Sequence, residues 1–254
     1  MFFIPGPLEQ FEISPLLSLN LGNFLDLSIT NALLITLLGL SLFYSLTFAI
    51  GLPTGSPRVL KQAWQYIVEG LILVSAAMLS DNVGKEGEKF YPFIFSLFSF
   101  VVIANLIGLV PYSFTITSHL IVTFSLAIIV FVGVNIVGVQ KHGIDILCLF
   151  LPGGTSIALA FLLVPIELIS YIFKPISLSV RLFANMMAGH TLLKVIAGFA
   201  WSMLSAGGLL FIFHTLPLAI IVILMGLELG VALIQAYVFS ILSCIYLNDT
   251  LNMH

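Results

Sequence analysis

Charged residues are scarce in this chain. Lys, Arg, Asp and Glu make up 7% of its 254 residues, and 60% of the residues are hydrophobic, whereas an ordinary soluble domain carries about 25% charged residues. This leaves no room for a separate soluble domain. Several charge-free runs approach the ~20 residues that a helix needs to cross a ~30 Å hydrocarbon core. The composition therefore predicts an all-α integral membrane protein.

Other absences exclude further classes of protein. The chain has no cluster of lysines and arginines, and its net charge is -3, so we expect no nucleic-acid partner. Cys148 and Cys244 both lie in apolar sequence, where a buried thiol is more usual than a disulfide or a metal ligand. A glycine-rich phosphate loop with a lysine is also missing. We expect no metal, no cofactor and no nucleotide catalysis by this chain.

The N-terminal stretch MFFIPGPLEQFEI has no recognisable targeting pattern. It contains neither a basic region before an apolar core nor an Arg-rich amphipathic stretch, so it predicts no secretory signal or import presequence. We therefore expect a bacterial protein or one that is made inside an organelle.

Apolar runs and helix breakers divide the chain, which we treat as a single membrane domain, into five parts. We expect about five membrane helices and one amphipathic helix lying in the membrane surface, although a sixth full span remains an alternative for that helix. The parts are an N-terminal segment (1–30), a first span (31–50), the amphipathic helix (56–80), a helical hairpin (90–139) and a tilted helix pair (155–247).

Positive charges predict the orientation. The first 30 residues contain no lysine or arginine, whereas Arg58, Lys61, Lys85 and Lys89 lie in one connection and Lys141 follows the hairpin. By the positive-inside tendency, the N-terminus is outside and these connections are inside.

The last two apolar segments, 155–200 and 207–247, are longer than a perpendicular crossing requires. We expect them to tilt strongly, kink or lie partly in the membrane plane, with a turn at Gly207 and Gly208. The candidate kink sites are Pro165, Pro175 and Pro217.

These two segments also carry ionisable and amide side chains. A charge at the bilayer centre costs ~3 kcal/mol on insertion scales, so such residues usually line a pathway or bind a partner. Lys174 and Lys194 have an alternative explanation as the snorkelling ends of one span. The set comprises Glu167, Lys174, Arg181, His190, Lys194, His214, Glu228 and Gln235.

Helical geometry groups some of these side chains. At about 100° per residue, Glu167, Lys174, Arg181 and Asn185 fall on one face of a helix, and His190 falls on the face opposite Arg181. On the final segment, seven residues separate Glu228 from Gln235, so these two also share a face. On that segment Gly226 and Gly230 are four apart, a spacing typical of helix contact.

Arg181 stays protonated in a protein, so its role must be electrostatic. Carboxylates and imidazoles, in contrast, exchange protons near neutral pH when burial moves their pKa. An ion pair between Arg181 and Glu228 remains an alternative. Glu167 lies ~21 Å of straight helix away, so an anion from another chain is a plausible partner for Arg181.

The sequence resembles subunit a of the rotary ATP synthase, in its mitochondrial form and most like the fungal type. The resemblance covers essentially the whole chain. It rests on PLEQFEI, FIFSLFSFVVIANLIGLVPYSFTITSHL, PIELISYIFKPISLSVRLFANMMAGHTLL and GLELGVALIQAYVFSILSCIYLND.

The resemblance implies a role for each candidate residue. Arg181 would face the carboxylates of a rotating ring of small subunits, with Asn185 and Gln235 as polar supports. His190 and Glu228 would lie in the half-channel by which protons arrive, here called the inlet, and Glu167 and Asp249 in the half-channel by which they leave, the outlet.

The resemblance also implies partners and a location. The partners would be the ring subunits, the peripheral stalk, other membrane-sector subunits and the lipid bilayer. The location would be the mitochondrial inner membrane, with the N-terminus on the intermembrane-space side and the C-terminus on the matrix side.

Two other classes remain as alternatives. A secondary transporter or simple channel would be indicated by an inverted repeat, and we see no convincing one. A redox subunit would need closely spaced haem or metal ligands, and the histidines are too irregularly spaced for that. They lie at His119, His142, His190, His214 and His254.

Overall fold

The computed structural model describes residues 6, 9–18, 20–21, 25–26, 28–51, 63–110, 113–143, 157–206 and 213–252. These residues form two compact units. Unit 1 draws on residues 1–53, 100–119 and 183–236, and unit 2 on residues 54–99, 120–182 and 237–254.

The structure is built from helices, as predicted. The α-helices are α1 (Asn31–Gly51), α2 (Ala63–Asn82), α3 (Tyr91–Gly108), α4 (Leu120–His142), α5 (Ile157–Ala206) and α6 (Thr215–Leu251). Short 3-10 helices cover Glu9–Phe11, Gly84–Phe90 and Ile116–Ser118.

Two small antiparallel ladders precede α1, an addition to the predicted all-α fold. Strand β1 (Pro15–Leu17) pairs with β4 (Ile29–Thr30), and β2 (Asn20–Leu21) pairs with β3 (Leu25–Asp26). In register, Pro15 lies opposite Thr30 and Asn20 lies opposite Asp26. The ladders fold the N-terminal segment back toward the start of α1.

Four stretches of the described helices are long and apolar enough to cross a membrane. They cover Glu86–Gly108, Leu120–His142, Phe161–Ser205 and Thr215–Leu251. A shorter apolar stretch, Asn31–Ser45, lies in α1, whose backbone continues to Gly51. The chain is therefore an integral membrane protein with several spans, in agreement with the composition.

Helix α2 corresponds to the predicted amphipathic helix, but residues 56–62 of that prediction lie outside the described residues. The buried stripe of α2 consists of Val68, Ser75, Met78 and Leu79, whereas Ile67 is 54% exposed. On a helix that lies in the membrane surface, an exposed apolar side chain such as Ile67 is available to lipid.

The last two helices exceed the thickness of a bilayer. Helix α5 has 50 residues and α6 has 37, which correspond to about 75 Å and 55 Å of helix. Pro165 and Pro175 lie inside α5. Pro217 instead lies in the first turn of α6, where a missing N–H breaks no helical hydrogen bond. Gly207 and Gly208 lie outside the described residues.

Each unit has its own core. In unit 1, Val101 of α3, Met186 of α5 and Ala232 of α6 are buried. In unit 2, Phe239 and Cys244 of α6 are completely buried. The prediction of a buried Cys244 thiol is thus confirmed, whereas Cys148 lies outside the described residues.

Candidate functional site

Unit 1 contains a buried imidazole–carboxylate pair. His190 Nδ1 on α5 lies 3.5 Å from Glu228 Oε1 on α6, and the two side chains are 14% and 7% exposed. Within the described part of the chain, His190 Nε2 and Glu228 Oε1 have no hydrogen-bond partner. Two groups that can exchange protons therefore adjoin each other with unused hydrogen-bonding capacity.

A glycine allows this close approach. A Cβ atom built on Gly189 would lie 2.7 Å from Glu228 Oε1 and 3.1 Å from its Cδ, both closer than van der Waals contact. In contrast, a Cβ on Gly226 or Gly230 would meet nothing within 4 Å. Gly226 and Gly230 therefore make no close helix contact among the described residues, whereas Gly189 is in close contact with α6.

A second pair joins the same two helices. The Asn185 amide donates a hydrogen bond of 2.8 Å to Gln235 Oε1. Asn185 lies five residues before His190 on α5, whereas Gln235 lies seven residues after Glu228 on α6. The two helices are therefore antiparallel in unit 1. Gln235 is buried, and its Nε2 has no partner among the described residues. The structure thus pairs the two residues predicted for the inlet with each other, and likewise the two predicted polar supports.

Sequence reasoning missed Asn105. This residue of α3 is completely buried, and its Nδ2 donates to the Ala232 carbonyl at 3.1 Å. Ala232 lies between Glu228 and Gln235 on the buried face of α6. A buried amide is costly unless it is hydrogen-bonded. A lone asparagine in the apolar stretch FVVIANLIGLV therefore indicates a buried hydrogen bond, and this pattern could have identified Asn105.

Arg181 lies in unit 2 and faces outward. Leu178, Ser179 and Leu182 around it on α5 are buried, whereas Arg181 itself is exposed. In the described part of unit 2, no carboxylate lies within ion-pair distance of its guanidinium. An exposed arginine on a membrane helix is therefore open to an acidic group of another chain.

Asp249 pairs with a lysine in unit 2. Lys174 Nζ lies 3.4 Å from Asp249 Oδ2, and the rings of Tyr171 and Tyr246 lie 5.4 Å and 4.9 Å from the same ammonium. These side chains and Thr250 line a cavity with room for about one water molecule. Lys174 is thus part of a polar cluster. The sequence had predicted either a residue that lines a pathway or binds a partner, or a snorkelling end of a span.

Glu167 lies apart from this cluster. It precedes Lys174 on α5 by seven residues, about 10 Å of helix. Within the described part of unit 2, no hydrogen bond or ion pair links Glu167 to Asp249, and Glu167 Oε2 is buried without a partner. The structure therefore does not bring the two predicted outlet residues into contact.

A third polar contact region was not predicted as a site. Lys141 pairs with Glu86, and Lys141 Nζ and His142 Nε2 lie 3.1 Å and 3.2 Å from the Leu251 carbonyl. Cations at a helix C-terminus complement its exposed carbonyls. Lys141 and His142 thus both contact the C-terminal end of α6.

Comparison with known proteins places this chain in a family. The family model described as ATP synthase A chain matches residues 32–248. ATP synthase subunit a of Pylaiella littoralis is 61% identical over 253 residues, covering 98% of this chain and 99% of the relative. The subunit of Chondrus crispus is 50% identical over 253 residues, covering 100% and 98%. The subunit of Paramagnetospirillum magneticum is 47% identical over 252 residues, covering 98% and 99%.

The chain belongs to the ATP synthase A chain family. It is therefore a subunit of the proton-translocating membrane sector of ATP synthase. The match contains every candidate residue except Asp249, which lies one residue beyond it. The relatives named above are algal and bacterial, so the fungal type of the resemblance stays a prediction.

Membership of the ATP synthase A chain family gives the polar clusters a common context. Proton translocation requires groups that exchange protons inside an apolar chain, and the His190–Glu228 pair is a buried example. Arg181 lies on an exposed part of α5.

Proposed function

We propose that His190 and Glu228 form the inlet half-channel of this ATP synthase subunit, and that Asn185 and Gln235 are the polar supports of Arg181. The observation that carries the proposal is the buried 3.5 Å contact between the imidazole and the carboxylate. An imidazole and a carboxylate accept and release protons near neutral pH when their surroundings are tuned. Their unused hydrogen-bonding atoms leave positions for water or for an arriving proton.

Arg181 acts as a fixed electrostatic barrier between the two half-channels. Because it stays protonated, it stabilises an ionised carboxylate on a facing partner and repels a proton that would pass straight through. Each proton that crosses 100 mV releases ~2.3 kcal/mol, which a direct leak would waste. The outward-facing guanidinium and its lack of a carboxylate partner within the described part of unit 2 support this role.

The partner is a ring of small subunits, each with a carboxylate at the depth of Arg181. The inlet pair gives a proton to a ring carboxylate, which becomes neutral and leaves through lipid as the ring turns. A ring carboxylate that arrives from the outlet side gives up its proton as it approaches Arg181. That proton leaves by way of Glu167, water and Asp249, and this flow drives rotation and ATP synthesis in the other subunits.

The subunit works within a larger membrane assembly. We place it in the mitochondrial inner membrane, with the N-terminus toward the intermembrane space, the C-terminus toward the matrix and α2 in the membrane surface. The positive charges between residues 58 and 89 support this orientation. Peripheral-stalk and other membrane-sector subunits hold it beside the ring.

Substitution in the whole complex tests the barrier. Arg181→Ala removes the fixed charge, so we expect ATP-driven proton pumping to be lost and passive proton leak to rise. Lys194→Ala is the matched control, because it removes one positive charge from the same helix. Membrane vesicles with a pH-sensitive dye measure both quantities. Normal coupled transport in Arg181→Ala would exclude the barrier role.

A second variant in the same vesicles separates the inlet from the barrier. Glu228→Gln keeps the size of the side chain but removes its proton exchange. We expect coupled flux to fall at least tenfold without any rise in leak, because Arg181 is still present. Glu88→Gln, which changes an exposed glutamate, is the control. Wild-type flux in Glu228→Gln would refute the inlet assignment.

A further inference from the structure

The N-terminal segment makes a contact with the inlet pair that the family assignment does not explain. The ring of Phe11, at the end of the Glu9–Phe11 turn, lies 6.4 Å from the His190 ring between centroids, with an angle of 68° between the planes. This is an edge-to-face arrangement, which aromatic rings favour. Residues 1–31 lie before the matched family region, which begins at residue 32.

The Phe11 ring is held by a fastened segment. Asn31, the first residue of α1, donates from its side chain to the Glu12 carbonyl at 3.1 Å and accepts from the Ser14 N–H at 3.2 Å. Its own N–H donates to the Ser14 carbonyl at 3.2 Å. Pairing of Pro15 with Thr30 continues this attachment. The three residues after Phe11 are therefore fixed to the start of α1.

The two ring nitrogens of His190 have different surroundings. Its Nδ1 lies 3.5 Å from Glu228 Oε1, whereas its Nε2 is buried without a hydrogen-bond partner in the described part of unit 1. An imidazole with no second hydrogen bond is free to turn about its side-chain bonds unless packing holds it. The edge-to-face contact with Phe11 supplies that packing.

We propose that Phe11 is a positioning residue, which holds the His190 ring against Glu228. The proposal rests on the inlet role proposed above for that pair. Phe11 exchanges no proton itself. The N-terminal segment thereby becomes part of the proton path, as the element that fixes the orientation of the imidazole.

Substitutions at position 11 test the effect on proton transfer in the whole complex. Phe11→Ala removes the ring, and loss of one aromatic contact corresponds to about a 2- to 10-fold lower rate of coupled proton flux. Phe11→Tyr keeps the ring and should restore the rate. Phe161→Ala is the matched control, because Phe161 is 86% exposed. Complex yield and passive leak should stay normal in all three variants.

The pH profile of the flux separates positioning from a general structural role. Among the described residues, Glu228 is the charged group within ion-pair distance of His190, and Glu9 and Glu12 on the N-terminal segment are exposed. Phe11→Ala should shift the profile through the His190–Glu228 pair, and Phe11→Tyr should restore it. A wild-type rate and profile in Phe11→Ala would overturn the proposal.

Photo-crosslinking tests the contact without relying on activity. A benzophenone amino acid at position 11 of the assembled complex should crosslink to residues near His190 on α5, as mapped by mass spectrometry. Crosslinks confined to other segments would overturn the proposal. Wild-type flux in Glu228→Gln together with crosslinks at His190 would instead reject the inlet role and leave the contact standing, so the two failures are distinguishable.

Discussion

Gly189 gives the most direct test of the inlet geometry. The change Gly189→Ala adds a single methyl group, whose carbon would lie 2.7 Å from Glu228 Oε1. The obstructing atoms belong to the Glu228 side chain on the opposing helix α6. To reach ordinary contact with the new methyl group, the Glu228 carboxylate must retreat by roughly 0.7 Å. Such a movement disturbs the 3.5 Å contact with His190.

The size of the effect follows from the sensitivity of proton transfer to distance. A displacement near 1 Å can cost about 100-fold in rate, so we expect coupled proton flux to fall by ~10- to 100-fold in Gly189→Ala. Passive leak should not change, because Arg181 is untouched. ATP-driven acidification of vesicles measures the first quantity, and decay of an imposed pH gradient measures the second.

The control for this substitution lies on the opposing helix. Gly230→Ala makes the same chemical change two residues from Glu228, at a position where a Cβ meets nothing within 4 Å. Both changes replace glycine by a better helix former, which favours the helix by about 0.5–1 kcal/mol, so helix propensity cannot explain a difference between them. Equal flux in the two variants would refute the steric reasoning.

Three further predictions concern other parts of the chain. Asp249→Asn removes a carboxylate from the Lys174 cluster and should lower coupled proton flux at least tenfold. The control Asp81→Asn, at an exposed position, should leave the flux unchanged. Equal flux in the two variants would argue against the outlet role of Asp249. Asn105→Ala removes the buried hydrogen bond to α6 and should destabilise the subunit by about 1 kcal/mol, read as a lower thermal midpoint of the purified complex; an unchanged midpoint would contradict this. Burial lowers the pKa of His119 below its ordinary 6.5, so protonation favours the unfolded chain and stability is lost as the pH falls through about 6.5. His119→Phe should therefore flatten the loss of thermal stability between about pH 7 and 5, and an equally steep loss would show that His119 does not contribute.

The sequence predicted the helices well because the bilayer imposes their length and composition. The first span was expected at 31–50 and α1 covers Asn31–Gly51, and the hairpin expected at 90–139 corresponds to α3 and α4. The last segment was expected from 207; the described part of α6 begins at Thr215, and residues 207–212 lie outside the described residues.

The candidate residues were found because charge in apolar sequence is expensive and therefore conspicuous. Their partners were harder to predict. The sequence left two roles open for Lys174, and only the structure placed it beside Asp249. The spacing of glycines indicated Gly226 and Gly230 as contact residues but did not indicate Gly189. Local spacing gives the face of one helix, but a contact also depends on the rotation and offset of the helix opposite it.

The sequence by itself determined that this is an all-α membrane protein, and it identified the few polar side chains that lie inside the apolar segments. These conclusions follow from composition and from the period of a single helix. Only the tertiary structure decided which of those side chains meet. It paired His190 with Glu228 across Gly189 and set the ring of Phe11 against His190, because contacts between residues far apart in the chain depend on how separate elements pack.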